Sequence, residues 1–399
     1  MLEPKDFHKT ILLDPAEFAL RIAGVRKAMT EDDSRPQALL LCDFANMFDL
    51  IGRVFRGWVY IPLEGDVICF VQRPLILRGD NTVAVRKPEE IPAHLCDRLP
   101  ATIGLELDTA SWNEVKRLKA LFPDATLTNA STVMRRARAV KTPAQIEQIR
   151  RSGISHVRVY SRIPKLYRDG MTDIELQVEI ERVSRLEGGL GQFRISGNSM
   201  ELFQGSILVG ENADTPSPYD FALGGEGMNP SLPVGANGTE ITPGTTVMVD
   251  MGGNFTGYMT DMSRVFSLGE IPETALKAHQ TSIDIHRMLQ EVGKPGVKAS
   301  ELYEAAMDMV KERGLEQYFM GHTQKAGFIG HGVGIEINEL PVIAPRSRDI
   351  LAKGNVIALE PKFVIPHVGA VGIENTYYVD NDGLKLLTPA PEEIIKFDL

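Results

Sequence analysis

The stretch VMVDMGGNFTGYMTDMSRVF, residues 247–266, places two aspartates in what otherwise reads as a hairpin of two apolar strands. Runs rich in Val, Met, Tyr and Phe flank a segment of Gly and Asn, which is typical of antiparallel strands and their turn. A regular hairpin with its turn centred between Phe255 and Thr256 makes Asp250 and Asp261 direct partners. Two facing carboxylates about 4 Å apart repel each other by roughly 4 kcal/mol at an effective dielectric near 20. The pattern therefore predicts a cation between the strands.

A second hairpin repeats this arrangement in VIALEPKFVIPHVGAVGIENTYYV, residues 356–379. A turn centred on His367 places Glu360 opposite Glu374. Because side chains alternate along a strand, a shift of one residue in either hairpin, or a bulge, would move a carboxylate to the other face. Two independent pairs of facing carboxylates nevertheless indicate a shared cation site.

Between the hairpins lies GFIGHGVGIEINELP, residues 327–341, in which glycines flank His331 and allow close approach to the imidazole. Four carboxylates and one histidine suit Mn, Co, Fe or Zn ions in a pair better than a structural zinc, which prefers thiolates. Two such ions about 3.5–4 Å apart share bridging carboxylates and activate water. The sequence therefore predicts two divalent metal ions per chain. The candidate metal ligands are Asp250, Asp261, His331, Glu360 and Glu374.

These phrases resemble the pita-bread metallopeptidases, a family of Xaa-Pro aminopeptidases, prolidases and methionine aminopeptidases that also includes the non-peptidase creatinase. The matching phrases are VDMGG…TDMSR, GHGVGIE, LEP and GIENT, in the family's order. Residues 38–52 and 135–153 resemble the family's N-terminal domain and inter-domain junction. The resemblance implies an α/β creatinase-type N-terminal domain over residues 1–135. It also implies an α+β pita-bread catalytic domain with a curved antiparallel sheet over residues 136–399.

By this resemblance Glu360 and His331 are catalytic as well as metal ligands, and Glu360 carries a proton to the leaving nitrogen. The sequence departs from the family at two positions. Where the peptidases have a histidine after a Leu-Pro step the chain has Val234, and seven residues after His331 it has Asn338. Those histidines bind the substrate carbonyl in the family, and loss of such a donor typically lowers the rate by about 10²–10³. Val234 and Asn338 are therefore candidate substrate-binding residues. His322, nine residues before His331, is either a third candidate or a loop histidine with a structural role.

The chemistry and the resemblance together predict a dinuclear metal-dependent hydrolase, an Xaa-Pro dipeptidase or Xaa-Pro aminopeptidase. The two missing histidines leave open a metal-dependent enzyme acting on a small non-peptide amide or cyclic amidine, or an elimination reaction. Creatinase shows the reverse pattern, because it has lost the metals and kept the histidines. A third alternative is a catalytically inactive peptide-binding module. Facing carboxylates would only destabilise a chain that had lost its metal, which argues against that alternative.

Composition narrows the classes of partner. The 399 residues carry a net charge of −10 without a basic cluster, so a nucleic-acid partner is not expected. No apolar run approaches the roughly 20 residues of a membrane span, and the first ten residues lack a signal-peptide pattern. Cys42, Cys69 and Cys96 lack metal-ligand spacing and are expected to be free thiols of a cytoplasmic protein. The expected partner is a small peptide or amide substrate.

Local patterns add expectations about individual elements. Short strands near residues 38–42, 67–72, 82–85 and 102–107 alternate with helical stretches, and capping boxes at Thr142 and Thr172 predict helix starts. The apolar-aromatic segment 55–60 is either a buried strand or a contact of the homodimer that the family resemblance implies. His279 and His286 are expected on a helix surface. Arg264 either supports a ligand carboxylate or forms a structural ion pair.

Overall fold

The computed structural model describes residues 6–95, 99–197, 204–219 and 221–398. The chain divides into two compact units, Met1–Arg138 and Ala139–Leu399. The boundary that the sequence predicts, between residues 135 and 136, lies three residues before this division.

In its described part, the first unit is a mixed sheet accompanied by helices. Its strands are β1 (Ala38–Leu41), β2 (Arg56–Pro62), β3 (Ile68–Arg73), β4 (Thr82–Ala84), β5 (Thr102–Leu105) and β6 (Thr126–Asn129). Its helices are α1 (Pro15–Glu31), α2 (Phe44–Ile51), α3 (Ile91–Leu95), α4 (Trp112–Lys119) and α5 (Ala130–Ala139). The strands form one sheet in the order β4-β3-β2-β1-β5-β6, with β1 antiparallel to β2 and parallel to β5. The predicted α/β class is confirmed.

The expectation that residues 55–60 contact a second chain is wrong for most of that segment. Strand β2 lies inside the sheet, paired with β1 on one side and β3 on the other. Phe55, Val59 and Tyr60 are buried within the unit. The apolar character of the segment therefore serves the core of its own unit, and the homodimer stays a prediction without this contact.

The second unit combines long helices with antiparallel hairpins. Its helices are α6 (Pro143–Tyr160), α7 (Asp173–Leu186), α8 (Glu273–Val292) and α9 (Ala299–Glu312). Its strands are β7 (Gly205–Val209), β8 (Thr246–Asn254), β9 (Met259–Ser267), β10 (Gly330–Gly332), β11 (Glu339–Ile343), β12 (Val356–Leu359), β13 (Lys362–Ile365), β14 (Gly369–Gly372), β15 (Asn375–Asp380), β16 (Gly383–Leu386) and β17 (Ile395–Lys396). They form sheets in the orders β17-β9-β8-β7 and β11-β10-β12-β15-β16, and the separate pair β13-β14. The predicted α+β class is confirmed.

Both predicted helix starts are confirmed. The Thr142 side chain accepts a hydrogen bond from the Gln145 amide, and the Gln145 side chain accepts one from the Thr142 amide. Thr172 and Glu175 form the same reciprocal capping box at the start of α7. No helix in the described ranges has both the length and the apolarity needed to cross a membrane.

The first hairpin keeps its predicted strands but not its predicted register. Asp250 pairs with Ser263, and Asp261 pairs with Gly252, because the turn between β8 and β9 lies one residue later than expected. The direct pairing of Asp250 with Asp261 is therefore wrong. A shift of two residues in the partner preserves the face of the sheet, so the two aspartates remain diagonal neighbours on one face.

The second hairpin has the predicted register on both sides of a break. Val356 pairs with Tyr378 at one end and Lys362 with Gly372 at the other, which is the register that places Glu360 opposite Glu374. The two glutamates themselves lie where the ladder is interrupted.

His279 and His286 are buried, so their predicted place on a helix surface is wrong. Helix α8 packs this side against β13, β14 and β16. His286 Nε2 donates to the Ile373 carbonyl oxygen at 3.0 Å, and its Nδ1 accepts from the Tyr377 hydroxyl at 2.9 Å. Burial lowers the pKa of His286 to about 3 and that of His279 to about 4, because a charged imidazolium would lose its water.

Candidate metal centre

The five candidate ligands lie on neighbouring strands of the second unit. Asp250 is in β8, Asp261 in β9 and His331 in β10. Glu360 lies between β12 and β13, and Glu374 between β14 and β15. Pairing of β8 with β9, of β10 with β12 and of β12 with β15 brings these distant segments together.

Their donor atoms form two groups that share Glu374. Asp261, His331 and Glu374 offer atoms within 4.8 Å of one another, and so do Asp250, Glu360 and Glu374. His331 Nε2 lies 3.7 Å from Asp261 Oδ2 and 3.4 Å from Glu360 Oε1. His331 Nδ1 is 3.2 Å from the carbonyl oxygen of the next residue, and a proton there leaves Nε2 as the ligand atom. The first group thus has the donor set of a divalent metal site.

The surroundings of Glu374 test whether a metal ion fits this first group. An antiparallel bridge joins Glu374 to Ser263, and Ser263 Oγ donates to Glu374 Oε2 at 2.7 Å. The other carboxylate oxygen, Oε1, is buried and lacks a hydrogen-bond partner among the described residues. A buried oxygen left without a partner is destabilising. A cation held with Asp261 and His331 would satisfy it, so these residues fit a divalent ion.

Arg264 anchors the backbone behind the carboxylates. Its side chain is fully buried, and each guanidinium N–H has an acceptor. The acceptors are the carbonyl oxygens of Ser263, Glu374, Ala390 and Pro391 and the side-chain oxygen of Asn375. Of the two roles the sequence left open, these contacts favour support of the Glu374 segment, through its backbone rather than its carboxylate.

Lys362 is the functional residue that the sequence reasoning missed. Its Nζ lies 2.7 Å from Asp250 Oδ2, 2.8 Å from Glu360 Oε2 and 3.0 Å from Glu374 Oε2, and its side chain is 0% exposed. These three carboxylates are the second ligand group. The signal was present in LEPK, because residues two apart on a strand share a face and Glu360 was already assigned to the site.

The charges within the cluster shift its pKa values strongly. Burial opposes the charge of Lys362, but Asp250, Glu360 and Glu374 outweigh it and raise the pKa of the ammonium well above its ordinary value. Burial and the charge of Asp250 raise the pKa of Asp261 to about 7. Burial opposes a charge on His331, but Glu360 and Asp261 outweigh it and raise the pKa of the imidazole to about 9. Without a bound ion, His331 therefore supplies the positive charge on the Asp261 side.

A cavity of about 400 Å³ opens above the ligands. All five candidate ligands line it, and much of the remaining wall is apolar. Its apolar residues include Phe193, Ile195, Phe221, Leu223, Phe328 and Ile337. No lysine or arginine is among the described residues that line it. Sequence reasoning missed the wall formed by residues 193–197, which carries no motif.

The three candidate substrate-binding residues lie in different environments. Val234 lines the cavity and is buried. Asn338 lines it too, but its side chain donates to the Ser196 carbonyl oxygen at 2.7 Å and accepts from the Ser196 amide at 2.8 Å. Its amide group therefore fastens the cavity wall. His322 is not among the described residues that line the cavity, and its Nδ1 lies 3.1 Å from Asp214 Oδ2.

A second buried lysine, Lys141, pairs with the cavity residue Glu339. Lys141 Nζ is 2.9 Å from Glu339 Oε2, and both side chains are almost completely buried. Glu339 also accepts hydrogen bonds from the Ile335 and Glu336 amides, so this pair orders the loop after His331. Glu339 belongs to neither ligand group.

Comparison with known families assigns both parts of the sequence. Residues 147–381 match the model of metallopeptidase family M24, and residues 21–140 match the creatinase/prolidase N-terminal domain. The chain is 28% identical over 267 residues to a probable dipeptidase PepE of Mycobacterium tuberculosis, which covers 67% of this chain and 63% of that protein. It is 27% identical over 296 residues to an Xaa-Pro dipeptidase of Pyrococcus furiosus, covering 74% and 75% of the two chains.

Solved structures show the same architecture. An Xaa-Pro dipeptidase from Bacillus anthracis superimposes with a TM-score of 0.78, over 95% of this chain and 99% of that one, at 22% identity. At that identity the likeness concerns the fold.

Proposed function

The chain belongs to metallopeptidase family M24, and from this premise we propose that it is a metal-dependent hydrolase of Xaa-Pro peptides, an Xaa-Pro dipeptidase or Xaa-Pro aminopeptidase. The observation that carries the proposal is the convergence of Asp250, Asp261, His331, Glu360 and Glu374 at one cavity. Family M24 implies divalent metal ions, and the sequence predicts two, of Mn, Co, Fe or Zn.

The ligands would hold the metal, and it would polarise the scissile carbonyl and lower the pKa of water. Glu360 is the proposed proton carrier. Its Oε2 contacts Lys362 Nζ and its Oε1 lies near His331 Nε2, so both neighbours hold the carboxylate in position at the cavity. His331 would offer Nε2 to the metal, with its Nδ1 held by the Gly332 carbonyl oxygen.

The cavity supports a substrate with an apolar side chain or ring beside the bond that is cut. Among the described lining residues there is no lysine or arginine to pair with the free carboxylate of a dipeptide. This observation favours an aminopeptidase substrate, in which the chain continues beyond proline, and keeps a small non-peptide amide as the second candidate. Val234 would supply apolar surface to the substrate. His322 is proposed as a substrate contact from outside the lining, with its imidazole facing Asp214.

A homodimer and a cytoplasmic location complete the proposal. The family resemblance supports the first. The free thiols of Cys42 and Cys69 support the second, while Cys96 lies outside the described residues.

The proposal is tested by loading metal-free protein with manganese or cobalt and assaying four substrates in parallel. They are an Xaa-Pro dipeptide, the same dipeptide amidated at its carboxyl end, a longer Xaa-Pro peptide and a cyclic amide. We expect metal-dependent cleavage of the peptides with a blocked or extended carboxyl end. Cleavage of the cyclic amide alone would support the second candidate. Absence of metal-dependent hydrolysis of every substrate would contradict the proposal and favour an inactive binding module.

A further inference from the structure

We propose that the ammonium of Lys362 takes the place of one of the two metal ions. The chain then holds a single divalent ion at Asp261, His331 and Glu374, beside a cation that is part of the polypeptide. This inference rests on the proposed metal centre and changes its composition.

The geometry leaves little for a second ion to bind. The three carboxylates that touch Lys362 Nζ are the same three that form the second ligand group. All three separations, 2.7, 2.8 and 3.0 Å, are normal hydrogen-bond lengths, so the ammonium uses its three N–H groups on them. A metal ion bound to the same oxygens would lie beside the ammonium, where like charges repel strongly in a buried site.

Net charge does not fix the count, because one divalent ion leaves the four carboxylates and the ammonium at a charge of −1 and two would leave them at +1. The free ligand atoms point to one ion. Glu374 Oε2 accepts from both Ser263 Oγ and Lys362 Nζ, whereas its Oε1 is buried without a hydrogen-bond partner among the described residues. One oxygen of Glu374 therefore remains for an ion that Asp261 and His331 would also bind.

The backbone holds Lys362 inward. Its carbonyl oxygen accepts from the Met320 amide at 2.9 Å, and it pairs with Gly372 across the β13-β14 ladder. Gly372 has φ of 121°, and a Cβ there would lie 2.7 Å from the Pro361 carbonyl oxygen. The close approach of the two strands is therefore built into the sequence, and moving the ammonium to solvent would break three charged hydrogen bonds.

The test is the number of manganese ions per chain. Metal-free wild type, Lys362→Ala, Lys362→Arg and the control Lys385→Ala, at a partly exposed lysine of β16, are loaded with manganese. Each protein is passed through a desalting column and analysed by mass spectrometry of the elements. Because two ions need two complete ligand groups, we expect about one ion in wild type, Lys362→Arg and Lys385→Ala, and about two in Lys362→Ala. Electron paramagnetic resonance should show an isolated Mn(II) in wild type and a spin-coupled pair in Lys362→Ala.

The outcomes separate this inference from the proposed function. About two ions in wild type would overturn the role of Lys362 and leave the metal centre intact. No bound ion in wild type would overturn the metal centre and this inference with it. A count that stays at one in folded Lys362→Ala would show that the ammonium is not what excludes the second ion. If Lys362→Ala fails to fold, the wild-type count and its resonance spectrum still decide.

Discussion

Replacing Arg264 by lysine should destabilise the second unit severely while keeping the charge. The guanidinium has five N–H donors, and all five are used on acceptors at the back of the metal centre. A lysine ammonium has three, so at least two of these bonds are lost. The Ser263 and Glu374 carbonyl oxygens and Asn375 Oδ1 each accept a second hydrogen bond, so the cost is largest at the buried Ala390 carbonyl oxygen. At about 1–3 kcal/mol for a buried unsatisfied acceptor, Arg264→Lys should lower the free energy of unfolding by at least roughly 1–3 kcal/mol.

Guanidinium chloride denaturation measures this loss by two probes. Far-UV circular dichroism follows both units, whereas the tryptophans, Trp58 and Trp112, both lie in the first unit and report on it. The circular dichroism transition of Arg264→Lys should move to lower denaturant concentration by more than the fluorescence transition. Arg182→Lys, on an exposed side chain of α7, is the matched control and should change neither. A loss below about 1 kcal/mol for Arg264→Lys would refute the reasoning, since it would mean that the five bonds are replaced easily.

Three further outcomes are expected. Burial lowers the pKa of His156 and His286 to about 3 and that of His279 to about 4. Each imidazole therefore stays neutral in the folded chain, while the unfolded chain takes up protons below about pH 6.5. The free energy of unfolding should fall between pH 7 and 5 by about 2 kcal/mol per histidine. Urea unfolding of His286→Gln should show a smaller fall than wild type, and an equal fall would contradict the assignment. Asn338→Ala should raise KM more than it lowers kcat, because both hydrogen bonds to Ser196 are lost. The same loss should speed amide hydrogen exchange in residues 193–197, and unchanged exchange would show that Asn338 does not hold this wall. An Xaa-Pro dipeptide amide should be cleaved with a higher kcat/KM than the free acid, and a clear preference for the free acid would mean that a cation reaches the cavity after all.

The candidate ligands could be predicted because short stretches of sequence around each of them carry the pattern. Alternation along two hairpins places carboxylates on one face, and the glycines around His331 mark a close approach. The exact pairing of Asp250 could not be predicted, because it depends on one residue in the turn between β8 and β9. Because the strand partner of Asp250 shifts by two residues, both aspartates still lie on the same face of the sheet, and the predicted site is unchanged.

Other features depend on what the fold brings together. Nothing in the helical sequence around His286 reveals that β14 and β15 cover it. The role of Asn338 depends on Ser196, which lies 142 residues away in the sequence. Lys362 was within reach of the same alternation argument that identified Glu360, but a lysine among carboxylates is read as a surface ion pair until its burial is known.

Manganese binding by wild type and Glu374→Gln tests the metal centre most directly. Glu374 belongs to both ligand groups, and the substitution keeps its size while removing the charge that faces Asp261, His331 and Lys362. Isothermal titration of metal-free protein should show saturable binding in wild type and at least about tenfold weaker binding in Glu374→Gln, at equal secondary structure by circular dichroism. Equal affinity in the two proteins would contradict the account, because the residue shared by both groups would then not be a ligand.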